Sequence, residues 1–314
     1  MSADLLNPIF TDEVKAREWL EARIWPNGPI CPHCGVVDQA TLLRGVSHRP
    51  GLYQCNACRE PFSVTVGTLY ERSKIPLNKW LAATHLMMAS KKGMSALQVG
   101  RMLGFSKKTA WFVCHRIRES LRETNPDMLG GEGKTVEIDE SFVGGKEKNK
   151  HASKRKHQGT GGVGKEAVFA LVERGGKVRS HHIPAVNAAN LRPILQAQVD
   201  GATYVMTDEG GAAKKVGNEF AKHGCVNHSI GEYVRGDIHT NTIEGYFSIF
   251  KRGVYGTFHH VSQQHLKRYL AEFDFRYNER EALGVGDAER MSKSIGGIVG
   301  KRLTYRRTNQ TQEN

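Results

Sequence analysis

Residues 134–145 read KTVEIDESFVGG, and the apolar side chains of Val136 and Ile138 alternate there with charged ones. This period of two predicts a half-buried β-strand. The segment AVFALVERGGKVRSHHI (167–183) predicts two further strands joined at Gly175-Gly176. The segments beyond predict a helix over 190–199, a strand over 203–210, and helices over 240–254 and 265–279. Strands that alternate with helices indicate the α/β class, in which helices flank a sheet.

Three acidic residues fall on these predicted elements. Asp139 lies in the first strand, Asp208 at the end of YVMTDEG, and Glu244 on the helix NTIEGYFSIFKR. Carboxylate oxygens are the ligands that Mg²⁺ prefers, and two ions about 3.5–4 Å apart stabilise the attacking and leaving oxygens of phosphoryl transfer. The three acids therefore predict a site for two Mg²⁺ ions, in which Mn²⁺ is expected to substitute.

Other acids compete for these roles, because Glu140 and Glu209 are adjacent to the two aspartates and Asp237 precedes Glu244 by seven residues. Neighbours on a strand point to opposite faces, so only one residue of each adjacent pair is expected at the metals. Lys251 follows Glu244 by two helical turns on the same face, where it would hold a DNA phosphate. The alternative for Lys251 is an ordinary solvated lysine.

Two Cys-x-x-Cys pairs lie in the first quarter of the chain, with twenty residues between them. The four cysteines are Cys31, Cys34, Cys55 and Cys58. This spacing is typical of zinc sites, and a complete set of four sulfurs makes the zinc structural, since no coordination position stays open. The alternative is two pairs of buried thiols. Cys114 and Cys225 have no partner at metal spacing and are interpreted as small buried side chains.

Residues 95–121 have the proportions of a helix-turn-helix. Ser95 is expected to cap a helix that ends near 103, and Ser106 to cap a longer, basic second helix. The N-terminal end of such a second helix contacts base edges in the major groove of DNA. The residues predicted to contact DNA are Lys107, Lys108, Thr109 and Arg116. The alternative is a helical hairpin with a solvated basic face.

The remaining segments complete the predicted organisation. Residues 11–25 predict a helix capped by Thr11, and Phe62, Val64 and Val66 alternate as in a strand. The basic run KEKNKHASKRKH (146–157) is either a solvated loop or a clamp on DNA. We expect an N-terminal helix with a zinc ribbon over 1–70, a helical DNA-binding segment over 71–128, a catalytic domain over 129–284 and a basic tail over 285–314.

The composition points to a polyanionic partner. The 314 residues include 45 Lys and Arg against 32 Asp and Glu, a net charge of +13. Hydrophobic residues make up 39%, enough to bury a core, yet no apolar run approaches the roughly 18 residues of a membrane span. The start MSADLLNPIFTDEV lacks the apolar core of a signal peptide. We therefore expect a cytoplasmic, nucleoid-associated protein with nucleic acid as its partner and no membrane association.

The motifs resemble those of a known family. CPHCG, YQCNACREPFSVTVGT and IPLNKWL are similar to the N-terminal zinc ribbon of a class of bacterial insertion-sequence transposases. IDESFVGGKEKNKH, MTDEG, HTNTIEGYFSIFKRGVYGTFHHVS and FDFRYNER are similar to their DDE catalytic domain, the ISXO-type transposase domain. The resemblance covers about residues 8–281. It implies a ribonuclease-H-like mixed sheet flanked by helices, two Mg²⁺ ions, and cleavage and joining of DNA at transposon ends.

Carried over residue by residue, the resemblance selects Asp139, Asp208 and Glu244, with Lys251 at the position of the family's basic residue. Some relatives have Asn as the third ligand, whereas this chain has Glu. The expected protein is a DDE transposase that binds double-stranded DNA, acting as a homo-oligomer on element ends and target. Two alternatives stay open: a metal-dependent nuclease that cuts without joining, and a zinc-ribbon regulator or inactive relative without catalysis.

The charge pattern generates a prediction about affinity. If Lys and Arg hold DNA through its phosphates, the logarithm of the binding constant falls with the logarithm of salt by about 0.9 per contact on duplex DNA. Replacing Lys107 and Lys108 with Ala should flatten this slope, measured by fluorescence anisotropy over a series of salt concentrations. An unchanged slope would move the DNA-binding surface elsewhere.

Overall fold

The computed structural model describes residues 6–145, 149–155 and 162–304, without the side chain of Lys154. These residues form two compact units, one from Met1–Arg122 with Glu281–Asn314 and one from Glu123–Arg280. Part of the basic run 146–157, namely 146–148 and 156–157, lies outside the described residues.

The first unit begins with helices and a small antiparallel sheet of three strands in the order β1-β2-β3. Its elements up to the second unit are α1 (Pro8–Thr11), α2 (Glu13–Ile24), β1 (Ala40–Leu42), β2 (Tyr53–Cys55), β3 (Pro61–Phe62), α3 (Leu77–Ala89), α4 (Ala96–Leu103) and α5 (Lys107–Ser120).

The second unit contains the larger sheet, and one more helix after it returns the chain to the first unit. The elements are β4 (Thr135–Val143), β5 (Glu166–Glu173), β6 (Val178–Ile183), α6 (Ala188–Gln198), β7 (Tyr204–Thr207), α7 (Gly211–Gly217), β8 (Lys222–Cys225), β9 (Val234–Arg235), β10 (Ile238–His239), α8 (Asn241–Gly253), α9 (Gln263–Asn278) and α10 (Asp287–Gly296).

The N-terminal helix begins differently from the prediction. The carboxylate of Asp12 accepts hydrogen bonds from the N–H groups of Val14 and Lys15, at 2.7 and 3.1 Å. Asp12 is therefore the cap of α2, and the prediction of Thr11 was wrong because Thr11 ends the separate turn α1. A charged carboxylate at this position satisfies two N–H groups that the helix itself leaves without partners.

The strand predicted through Val66 ends early, so that prediction was also wrong. β3 stops at Phe62, and turns follow it, with the N–H of Val66 donating to the carbonyl of Ser63 at 2.9 Å. Phe62 and Val64 are buried all the same. The apolar pattern here marks a folded turn and not a longer strand.

The two helices of the predicted helix-turn-helix segment are confirmed. The hydroxyl groups of Ser95 and Ser106 accept hydrogen bonds from the N–H groups of Gln98 and Thr109, both at 3.2 Å. Gly104 separates the helices in a left-handed conformation, with φ of +70°. The apolar side chains along one face of the second helix are buried, and they are Ala110, Val113, Cys114, Ile117 and Leu121.

Residues 281–304 complete the first unit and include a helix that the expected basic tail did not contain. Helix α10 packs against α3 and buries Met291 and Ile295. Beyond it, the N–H of Leu69 donates to the carbonyl of Ile298 at 3.1 Å, and the N–H of Gly300 to that of Gly67 at 2.9 Å. This C-terminal segment is therefore part of the core that carries α5.

The larger sheet has the strand order β6-β5-β4-β7-β8. Strands β4, β5 and β6 pair antiparallel, whereas β4, β7 and β8 pair parallel. The predicted hairpin at Gly175-Gly176 is confirmed, and Gly175 has a φ of +71°. Helices α6 and α7 follow β6 and β7 and supply the crossovers that parallel neighbours require.

Both faces of this sheet are covered, as the continuous apolar run of β5 shows. Val168, Ala170 and Val172 pack in one core with residues of α8 and α9. Ala167, Phe169 and Leu171 pack in a second core with residues of α6 and α7. The unit is thus a mixed α/β sheet flanked by helices, which confirms the predicted class.

No helix among the described residues is both long enough and apolar enough to cross a membrane.

The packing of α9 on the edge strand β6 generates a stability prediction. The side chain of Asn278 accepts from the N–H of Val178 at 2.7 Å and donates to its carbonyl at 3.0 Å, in a buried position. Replacing Asn278 with Ala should lower the free energy of unfolding by about 2–3 kcal/mol, because two buried backbone groups lose their partner. Urea unfolding measures this.

The matched control is Asn190→Ala, whose side chain makes an exposed hydrogen bond to Ala185. It should change stability by about 0.5 kcal/mol or less. Equal losses in the two variants would contradict the role of Asn278.

Candidate functional site

The parallel pairing of β4 with β7 sets the position of the two aspartates. Glu137 lies opposite Met206 in this register. Continuing the register by two residues places Asp139 opposite Asp208, which is the first residue after β7. Two carboxyl groups from distant parts of the chain are thereby brought to adjacent strands.

The electrostatics of Asp139 reflect this crowding. Burial raises the pKa of Asp139 to about 8, and the negative charge of Asp208 is the next largest cause, with smaller contributions from Glu140 and Glu244. The N–H of Glu140 donates to Asp139 Oδ1 at 2.7 Å and opposes the shift. Clustered carboxyl groups that disfavour one another's ionisation are a donor set that fits divalent cations, which remove the repulsion.

Glu244 lies in the first turn of α8 and is about half exposed. Its Oε1 accepts a hydrogen bond from the hydroxyl of Thr240 at 3.0 Å, and His228 Nε2 lies 3.8 Å from the same oxygen. These neighbours orient the carboxylate, as hydrogen-bonding partners commonly do for groups that ligate metals.

The adjacent acids Asp208 and Glu209 make different contacts. Asp208 Oδ1 accepts from the N–H of Gly210 at 2.8 Å. Glu209 accepts from the N–H of His228 at 2.8 Å and from the N–H and hydroxyl of Ser229 at 3.1 and 2.5 Å. These hydrogen bonds lower the pKa of Glu209 to about 2, and the bond from the Ser229 hydroxyl contributes most. Glu209 therefore holds the loop that carries His228.

Glu140 was expected on the opposite face of β4 from Asp139. Burial and, secondly, the charge of Asp208 raise the pKa of Glu140. Its Oε2 is buried without a hydrogen-bond partner among the described residues. Glu140 thus lies within electrostatic reach of Asp208 and is a fourth acid to test. Asp237 is exposed at the turn between β9 and β10.

The carboxylate oxygens of the three predicted acids do not lie as close together as the ligand atoms of a bound metal ion. Within the described ranges, one group of three or more His, Cys, Asp or Glu residues has all its ligand atoms within 4.8 Å of one another, and that group is the four cysteines. Binding of a cation by Asp139, Asp208 and Glu244 therefore requires their side chains to draw together.

The four cysteines form a compact cluster that fits a tetrahedral zinc ion. The Sγ atoms of Cys31 and Cys58 are 3.7 Å apart, and those of Cys34 and Cys55 are 3.6 Å apart. Zn–S bonds of about 2.3 Å in a tetrahedron place sulfurs about 3.8 Å from one another. The cluster therefore has the dimensions of a structural zinc site.

Two equivalent turns aim the thiols at one point. The N–H of Gly35 donates to the carbonyl of Cys31 at 2.9 Å, and that of Arg59 to the carbonyl of Cys55 at 3.0 Å. Gly35 and Arg59 both have positive φ, +78° and +63°. The N–H of Cys58 contributes most to lowering the pKa of Cys55, whereas burial and the neighbouring thiols raise the pKa of Cys58 and of Cys34.

The residues predicted to contact DNA lie along α5. Lys107 and Lys108 are exposed in its first turn, where Thr109 shares a hydrogen bond of 2.9 Å with Ser106. Arg116 is half-buried, donates to the carbonyl of Leu303 at 3.0 Å and lies 4.9 Å from the ring of Phe112. The guanidinium of Arg116 is thus held within the first unit and is set apart from the two exposed lysines.

The remaining predicted residues occupy simple positions. Lys251 is exposed near the end of α8. Cys114 is buried, as interpreted from the sequence, whereas Cys225 is partly buried and its thiol donates to the carbonyl of Asp208 at 3.1 Å.

Sequence reasoning does not assign Glu137, which has no exposed side-chain surface in β4. Its carboxylate accepts hydrogen bonds from Arg174 and from the start of α8. The signal in the sequence is a charged residue at a position of VEIDES that shares a face with Asp139. The partners, however, lie 37 to 106 residues away.

Comparison with known proteins gives concordant matches. Residues 128–278 match the ISXO2-like transposase domain, and residues 11–60 match the transposase zinc-ribbon domain. The chain is also 30% identical over 279 residues, 85% of its length and 91% of the relative's, to a protein of Halobacterium salinarum described as an uncharacterized protein in transposable element ISH50.

The cysteine cluster generates a prediction about metal content. Elemental analysis of freshly purified protein should find close to one zinc per chain. The variants Cys31→Ser and Cys55→Ser should both lose the zinc. Hydrogen exchange should then show that residues 30–70 are unfolded while the second unit stays folded. The control Cys225→Ser should keep the zinc. Folded protein without zinc would contradict the assignment.

Proposed function

The chain belongs to the ISXO2-like transposase family, and from that premise we propose that it cleaves DNA at the ends of an insertion sequence and joins those ends to target DNA. The observation that carries the catalytic part is the proximity of Asp208 to Asp139, whose pKa is raised by burial and, secondly, by the charge of Asp208. We propose a bacterial source, although the matched relative belongs to an archaeon.

A ribonuclease-H-like fold is part of this proposal. The five-stranded mixed sheet with helices on both faces supports it. Three antiparallel strands joined to two parallel ones bring the acid of the first strand, Asp139, beside the acid that follows the fourth, Asp208.

Asp139, Asp208 and Glu244 are proposed to hold two Mg²⁺ ions, with Mn²⁺ as a substitute. When bound, the ions supply Lewis-acid stabilisation of the attacking and leaving oxygens. Thr240 and His228 orient Glu244, and Gly210 orients Asp208. Lys251 is proposed to hold a DNA phosphate from the same helix as Glu244.

The proposed reaction has two displacements at phosphorus. Water first attacks a phosphodiester at the element's end, the bond from phosphorus to the 3′ oxygen breaks, and a free 3′-hydroxyl results. That hydroxyl then loses its proton and attacks a phosphodiester of the target, so that a new phosphodiester forms while the target's bond from phosphorus to its 3′ oxygen breaks and a 3′-hydroxyl is released. Joined products distinguish this reaction from that of a nuclease, which stops after the first step.

We propose that DNA binds to the exposed first turn of α5, which carries Lys107, Lys108 and Thr109. Arg116 is proposed to contact DNA from further along the same helix. The zinc ribbon and the net charge of +13 support a nucleic-acid partner. We also propose that the protein forms a homo-oligomer on DNA and associates with the nucleoid. A regulator without catalysis is the rival, and it predicts no metal-dependent cleavage.

The experiment separates chemistry from binding. Asp208→Asn removes one negative charge while it keeps the shape of the side chain. Strand cleavage in Mg²⁺ should fall by more than about 100-fold, since loss of a ligand should exceed the 10–100-fold cost of losing a group that only orients one. Binding to the same DNA in chelator should stay equal or improve, because repulsion of the phosphates decreases.

Asp237→Asn is the matched control, because it makes the same change at an exposed side chain between β9 and β10 of the same unit. It should retain cleavage, and Asp139→Asn and Glu244→Gln should lose it. Glu140→Gln tests whether the fourth acid takes part. Full activity in Asp208→Asn, or none in Asp237→Asn alone, would overturn the assignment.

A further inference from the structure

The buried carboxylate of Glu137 is saturated with donors. Oε2 accepts from the N–H groups of Thr242 and Ile243 at 2.8 and 2.9 Å. Oε1 accepts from the Thr242 hydroxyl at 2.8 Å and from Arg174 Nε at 2.6 Å. Two of these donors are free N–H groups at the start of α8, so the carboxylate fastens that helix to β4.

Arg174, just past the end of β5, extends the same network. Its Nη2 lies 2.9 Å from the sulfur of Met206 and donates to the carbonyl of His239 at 2.9 Å. Its Nη1 donates to the carbonyl of Asp237 at 2.8 Å. The guanidinium therefore connects the ends of β5, β7 and β10 to Glu137.

The network has a fixed relation to the three proposed metal ligands. Glu137 precedes Asp139 by two residues, Met206 precedes Asp208 by two, and Thr242 precedes Glu244 by two. The cluster around Glu137 and Arg174 thus contacts each of the three segments that carry a proposed metal ligand. In every segment the contact lies two residues before the ligand.

We propose that Glu137 and Arg174 are positioning residues that set the spacing of Asp139, Asp208 and Glu244 for cation binding. This inference rests on the proposed function, in which those three carboxylates are the metal ligands. Glu137 and Arg174 act through the backbone of β4, β7 and α8.

A buried ion pair is a poor source of stability, since desolvation of the charges offsets much of their attraction. Its effect here is geometric. A carboxylate offers acceptors on both oxygens, and the four donors that hydrogen-bond Glu137 each need one, while His239 Nδ1 also lies 3.3 Å from Oε1. An amide keeps one acceptor oxygen and presents an NH₂ group to donors, so the start of α8 loses its anchor. A shift of about 1 Å at reacting groups costs about 100-fold in rate.

The test uses Glu137→Gln in the full-length chain and measures Mn²⁺ affinity from the electron paramagnetic resonance signal of free Mn²⁺, as well as cleavage. Mn²⁺ affinity should fall about 10–100-fold, the range for groups that orient ligands. The N–H groups of Thr242 and Ile243 should exchange hydrogen faster.

The matched control is Glu272→Gln. Glu272 is equally buried in the same unit and pairs with Arg276 within α9. This variant should lose stability without a change in Mn²⁺ affinity, which separates a positioning role from a merely structural one. Equal Mn²⁺ affinity in Glu137→Gln and the unchanged protein would overturn the inference.

The double variant Glu137→Gln/Arg174→Met covers the case in which the single variant does not fold. It removes a partly buried guanidinium that has lost its carboxylate partner, so it should be more stable than the single variant. Its Mn²⁺ affinity should stay low, and an affinity restored with stability would contradict the positioning role. If the unchanged protein and Asp208→Asn bind Mn²⁺ equally, the proposed function fails instead.

Discussion

The buried carboxylate of Glu137 joins the start of α8 to β4, and the arrangement of the proposed active site depends on this contact. The parallel pairing of β4 with β7 ends at Glu137 and Met206, two residues before Asp139 and Asp208, and Asp208 lies near enough to help raise the pKa of Asp139. Glu244 comes from a helix more than a hundred residues further along the chain than Asp139, so a separate interaction must fix its position. Glu137 provides that interaction with its two oxygens, and Arg174 neutralises the charge that this requires.

Around this anchor, the second unit tolerates an unfavourable cluster of charges. Burial and, secondly, the charge of Asp208 raise the pKa of Asp139, because ionised carboxyl groups repel one another in a partly buried site. In the proposed function, divalent cations bind these carboxylates and remove their repulsion, so the property that weakens the free protein also favours the ions. In the first unit, the small three-stranded sheet has little core of its own, and a four-sulfur zinc site stabilises such a ribbon through metal binding.

The sequence predicts the regular parts of this fold well, because strand and helix periods are local properties. The β5–β6 hairpin and the Ser106 cap follow from neighbouring residues. Helix α10 was missed because Met291 and Ile295 stand among polar residues, and their burial depends on α3. Among the site residues, the acids could be named from residue type and order. Glu137 could not, since its partners are far away in sequence.

Diffraction from crystals of the full-length chain soaked in Mn²⁺ tests the central claim most directly. The anomalous signal of Mn²⁺ locates the ions without reference to activity. We expect two peaks about 3.5–4 Å apart, ligated by Asp139, Asp208 and Glu244. Peaks bound by Glu140 without Asp139, or no peak near these carboxylates at saturating Mn²⁺, would contradict the claim.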